Sequence, residues 1–135
     1  MKPVIQQEIA GCAIASTAAL AGISYTAAKK AAKNLGITAA DSTLWSDSTH
    51  IRRLLRHYHI KTDKYETAFT DWQSLPDRAL LAIKWHLEKG TPYWHWVVFV
   101  RDIDGEYVLD SKKALKQNVR TDFGRIKPKW FIGVR

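Results

Sequence analysis

The sequence predicts a single α+β domain, helices first and an antiparallel sheet after them. Three observations lead there. The N-terminal part carries Ala-rich and amphipathic runs bounded by caps. The C-terminal part carries short runs rich in Val, Ile, Leu and aromatics, set off by turns. The length, 135 residues, suffices for one buried core without staples, and no repeat, low-complexity tract or linker divides it.

The first helix spans 12–21, dominated by Ala with Ile14 and Leu20, and stops at Gly22. Alanine on every side suits a helix buried against other backbone. Ser24 caps a second helix, Tyr25 to Leu35, ending at Gly36 with Lys29, Lys30 and Lys33 outward. Residues 37–47 read as loop. Ser48 or Thr49 then caps a third helix through Ile51, Leu54, Leu55 and Tyr58. A short strand is expected within Lys64 to Phe69, then turn material from Asp71 to Pro76. Four runs follow as strands: Arg78–His86, Trp94–Val100, Glu106–Leu109 and Trp130–Val134. Gly90-Thr91-Pro92 and Asp104-Gly105 mark two hairpins.

Composition narrows the class. The apolar fraction of 46% and charged fraction of 25% are those of an ordinary globular protein. A single cysteine excludes an intrachain disulfide and a multi-thiolate zinc site, and suits a reducing, cytoplasmic setting. The net charge of +8 suits an acidic partner. Its basic residues are scattered through several helix and loop faces, which argues against a nucleic-acid surface. Ile9-Ala10-Gly11-Cys12 looks like a lipoprotein box, but only Pro3-Val4-Ile5 and then Gln6-Gln7-Glu8 precede it, too little for a signal peptide. No apolar stretch reaches membrane-spanning length.

One constellation points to chemistry. Gln6, Cys12, His95 and Asp110 occur in that chain order. They are the parts of a thiol site: a sulfur that attacks, an imidazole that holds its proton, a carboxylate that orients the imidazole and an amide for the oxyanion. If Cys12 opens its helix, unpaired N–H groups and the dipole lie beside the sulfur and favour thiolate. A lone Cys in an Ala run is, taken alone, more often a small buried hydrophobe. His95 opens a strand, and the Asp104-Gly105 turn should return Asp110 beside it. Asp102 and Asp104 lie in that turn, and His50, His57, His59 and His86 lack the strand, hairpin and acid that follow His95. Trp45, Trp94 and Trp96 are candidates to line a peptide cleft, although strand aromatics are more often core. Nothing requires a metal or an organic cofactor.

The same residues carry a resemblance to papain-like cysteine peptidases, which place an oxyanion glutamine six residues before a cysteine at the start of the central helix. The adjacent Gln7 is the alternative to Gln6. The chain is most similar to the peptidases that cleave double-glycine leader peptides beside bacteriocin exporters, and to their stand-alone relatives. The likeness runs from Gln6–Cys12 through the Ala-rich helices, the Leu75-Pro76 turn, His95-Trp96-Val97-Val98 and the Asp-Gly hairpin to Val108-Leu109-Asp110. Two positions depart from it: Gly11-Cys12-Ala13 replaces the usual Asp-Cys-Gly, and Ser111 stands where proline is usual. The resemblance implies a papain-like fold, a peptide or protein substrate, and an acyl-thioester intermediate. A deamidase or acyltransferase would use the same site, and a catalytically silent peptide-binding module is the rival from another class.

Overall fold

Alanine lets the first helix pack closely on every side, and the structure uses this. The computed structural model describes all of residues 1–135. Helix α1, Cys12–Ala21, is buried from Cys12 through Ala19 and ends at Gly22, whose left-handed backbone (φ 71°) returns N–H groups to Ala18 and Ala19. Helix α2, Tyr25–Asn34, is capped by Ser24, whose Oγ accepts the Ala27 N–H at 3.1 Å. Helix α3, Thr49–His57, begins at the expected place with a different cap. The Ser48 side chain does not cap it; the Asp47 carboxylate takes the Thr49 N–H at 2.6 Å. Residues 37–47 are not all loop, because Ser42–Trp45 forms a 3₁₀ turn capped by Asp41.

Six antiparallel strands complete the α+β domain. They are β1 (Thr67–Ala68), β2 (Arg78–Glu88), β3 (Thr91–Asp102), β4 (Gly105–Leu109), β5 (Val119–Arg120) and β6 (Trp130–Gly133), in spatial order β1-β6-β2-β3-β4-β5. The expected strand within Lys64–Phe69 shrinks to two residues paired with β6, and β5 is not among the expected strands. The β2–β3 turn falls at Lys89-Gly90, one step before the expected one, with both residues at positive φ as a tight hairpin requires.

Alternation along β2 and β3 sorts side chains to two cores. Leu80, Ala82, Trp96, Val98 and Val100 pack with α1, α2 and α3. Ala79, Leu81, Ile83, Val97 and Phe99 pack under Leu75 and Ile126, with Phe69, Trp72 and Phe123 at the margin. The sheet is therefore covered on both faces, and α1 lies against its central strand β3. No helix is long and apolar enough to cross a membrane.

Candidate active site

The site forms where two strands part company. Strand β4 pairs with β3 only from Gly105 to Leu109, opposite Asp102 to Val98. Beyond Leu109 it turns to β5, and the Asp110 main chain bonds to Asn118 twice: Asp110 N–H donates to the Asn118 carbonyl at 2.8 Å, and the Asn118 side-chain Nδ2 donates to the Asp110 carbonyl at 2.7 Å. The Trp96 N–H on β3 is thereby left without a β4 carbonyl. The first residue of α1 fills the place, and Cys12 Sγ accepts that N–H at 3.5 Å. Departure of β4 thus lets the helix start dock against the sheet, with the sulfur of Cys12 fully buried.

His95 stands one residue before Trp96, and its Nε2 lies 2.7 Å from Asp110 Oδ1. Both side chains are well buried, 12% and 1% exposed. With Nε2 engaged by the carboxylate, Nδ1 is the ring nitrogen left for the thiol. Burial works against a charged ring here. The hydrogen bond to Asp110, the neighbouring Cys12 sulfur and their negative charge outweigh it and raise His95 to about 9. Burial likewise opposes the Asp110 carboxylate, yet His95, the Lys112 N–H (3.1 Å) and Arg120 hold it at about 2. The two shifts describe one ion pair.

Nothing local in the sequence sets Arg120 apart from the other basic residues. It lies on β5 opposite Val108, and its Nη1 donates to Asp110 Oδ2 at 3.0 Å. Asp122 holds the same guanidinium through two further bonds, Nε at 3.0 Å and Nη2 at 2.8 Å. Each Asp110 oxygen thus has a donor, Oδ1 two and Oδ2 one. An Arg and an Asp two residues apart are a signal, but one too common on surfaces to be singled out.

Gln6 lies in the N-terminal segment beside the Gly11–Cys12 turn. Its amide is occupied: Nε2 sits 3.0 Å from the carbonyls of both Glu8 and Ile9, and Oε1 accepts from Ser111 Oγ at 2.7 Å. Its own N–H donates to the Ser111 carbonyl at 3.0 Å. Gln6 therefore ties the turn before Cys12 to the segment after Asp110, and an oxyanion must displace one of these carbonyls to reach it. By contrast, no hydrogen bond takes the backbone N–H of Cys12 itself. Gln7 is exposed and lines the cleft described below.

Gly11 is fixed by a close approach. A Cβ there would run into the Tyr25 hydroxyl and the Glu8 carbonyl. That hydroxyl donates to Glu8 Oε2 at 2.7 Å, and Lys29 holds the other Glu8 oxygen. Burial resists ionisation of Glu8, but Lys29 and Tyr25 prevail and lower it.

Beside these residues opens a cleft of about 650 Å³ lined by His95, Gln6, Trp45, Tyr93 and Trp94, among others. Trp45 and Trp94 thus lie where a peptide cleft was expected. Trp96 does not. It is fully buried among the helices, its indole N–H donating to the Leu44 carbonyl at 2.8 Å, because its place in the alternation points it into the core. Cys12 is not on the cleft wall either; it lies behind it. His86, set aside in the sequence, does line the cleft and pairs with Glu88 at 3.2 Å. No cluster of three or more His, Cys, Asp or Glu side chains is placed to hold a metal. No family model, no curated protein and no solved structure matches the chain.

Proposed function

We propose that this domain is a papain-like thiol hydrolase that attacks a peptide or amide bond through an acyl-thioester, related to the leader-processing peptidases. The observation that carries the reading is the buried His95–Asp110 pair beside a helix-opening cysteine, whose Sγ accepts the N–H of Trp96, the residue next to His95. In the proposed cycle Cys12 Sγ adds to the substrate carbonyl carbon while His95 holds the thiol proton. As the tetrahedral intermediate collapses, the C–N bond breaks and His95 delivers that proton to the leaving nitrogen. The ring then takes a proton from water, whose oxygen attacks the thioester, and returns it to sulfur as the acid is released. Asp110 keeps the tautomer and supports the imidazolium, and Arg120 keeps Asp110 in place. The free Cys12 N–H is the first oxyanion donor, and Gln6 serves as the second once substrate replaces the Glu8 or Ile9 carbonyl.

The buried sulfur and the occupied Gln6 amide favour a second reading, in which the same groove holds a peptide without cleaving it. Alkylation of Cys12 across pH separates the two. An active site alkylates appreciably below neutral pH and loses this in His95→Ala. Equal profiles for wild type and His95→Ala would leave only the binding module. Deamidation and acyl transfer share the same thioester, and trapping a covalent adduct on Cys12 identifies which acyl group it carries.

A further inference from the structure

We propose that Lys84 and Lys112 form a carboxylate subsite beside His95, so that the site selects peptides bearing a carboxylate next to the bond attacked. This deepens the thiol-hydrolase reading and rests on it.

The argument starts from unpaired charge. Lys84, Lys112 and Lys113 all line the cleft that holds His95. The carboxylates near them are already used: Glu8 by Lys29 and Tyr25, Glu88 by His86, Asp110 by His95 and Arg120. None of the three lysines makes a salt bridge with any acid of the chain, since Lys29 is the only lysine that does.

The main chain directs two of these exposed lysines to the cleft. Lys84 lies in a bulge of β2, where the register with β3 slips between the Ile83–His95 and His86–Tyr93 pairs. Its φ of 54° is left-handed, a conformation disfavoured for any residue with a side chain and found where structure is shaped for use. The slip sits directly beside His95. Lys112 is anchored from the other side, its N–H on Asp110 Oδ1 at 3.1 Å and its carbonyl accepting Asn118 Nδ2 at 2.9 Å. Burial first, and then the charge of Lys112, lower the Lys84 ammonium, with Asp110 acting against them. Two ammonium groups that line one cleft and pair with no acid in a salt bridge leave a positive field there that suits an anion. The aromatic side chains of Trp45, Tyr93 and Trp94 add an apolar floor for the rest of the peptide.

The test uses two small reagents on the full chain. Iodoacetate carries a carboxylate, iodoacetamide does not, and both alkylate Cys12. Lys84→Asn with Lys112→Gln, the Asn chosen because it tolerates left-handed φ, should slow iodoacetate roughly five- to tenfold at low salt and leave iodoacetamide within about twofold. Added salt should erode the wild-type advantage of iodoacetate. Three competitor peptides identify the source of the carboxylate. N-acetyl-aspartyl-glycinamide protecting Cys12 assigns the subsite to an acidic side chain, and N-acetyl-asparaginyl-glycine protecting it assigns the subsite to a chain terminus. N-acetyl-asparaginyl-glycinamide, which is neutral, should protect poorly, and equal protection by all three overturns the subsite. So does an iodoacetate rate unchanged by the double substitution while iodoacetamide still shows the His95-dependent profile. If that profile is itself absent, the thiol site fails first and the subsite with it.

Discussion

Replacing Asp110 by Asn removes one charge while keeping the shape of the side chain, so its consequences can be worked from the contacts. The rise of His95 from its ordinary 6.5 to about 9 corresponds to roughly 3 kcal/mol of preference for the charged ring. Asp110 and Cys12 supply it against burial. With Asp110 neutral, only the Cys12 thiolate still opposes burial, and the midpoint of the ring should fall to about 7 or below. At pH 7.5 the charged fraction then drops from roughly 97% to roughly 25%. Alkylation of Cys12 at that pH should slow about fourfold in step, if the thiolate–imidazolium pair is the reactive form. The assay is NMR titration of the His95 ring, assigned by His95→Gln, run beside iodoacetamide kinetics. A folded Asp110→Asn protein whose His95 still titrates near 9 would refute the reasoning.

The same substitution tests why a carboxylate is needed. Oδ1 serves His95 and the Lys112 N–H, and Oδ2 serves Arg120. Asn offers one acceptor oxygen, so whichever way the amide turns, one set of donors meets an N–H. Breaking such a buried pair should cost on the order of 3 kcal/mol, about 10 °C in Tm. Adding Arg120→Gln supplies an acceptor for the stranded amide. The double variant should regain much of the Tm without restoring the high His95 midpoint. Recovery of both together would mean that Arg120, not the charge of Asp110, governs the imidazole.

Three further outcomes follow from named contacts. Gly11→Ala should destabilise the protein by about 1–3 kcal/mol in thermal or urea melts, because the new methyl meets the Tyr25 hydroxyl; adding Tyr25→Phe should recover part of this, and no recovery would place the strain on the Glu8 carbonyl. Stability should depend on pH through the buried pair. The raised His95 contributes fully below 6.5 and loses its contribution as pH rises through about 9, whereas the lowered Asp110 contributes above 3.8 and loses its contribution as pH falls through about 2. Melts of wild type and Asp110→Asn should therefore differ most between those ordinary values; the gap should close as pH falls through about 2 and narrow only in part as pH rises through about 9, where Asp110 still holds Arg120. Gln6→Ala should slow both Cys12 alkylation and turnover, because its amide ties the turn before the helix; unchanged alkylation with turnover down on the order of 10²–10³ would instead assign it to the oxyanion alone.

What the sequence could and could not reveal follows from the range of each signal. The span of α1 was legible because an Ala run closed by Gly22 is a local pattern, and the pairing of His95 with Asp110 was legible because a tight turn fixes register for several residues on either side. The faces of Trp94 and Trp96 were not. They share one parity, and only the end of the helical layer leaves Trp94 on the cleft while covering Trp96. Strand β5 is two residues long, too short to show any period, so Arg120 gave no sign of its partner. Nor does Ile83-Lys84-Trp85-His86 announce a bulge, since it alternates like a regular strand. The +8 charge was countable from the start, but a count carries no location. Lys84 reaches the cleft through a slip of register in β2, and Lys112 through the departure of β4 toward β5. Both are long-range events at the same end of β3, which is why lysines that read as scattered along the chain come to line one cleft with His95.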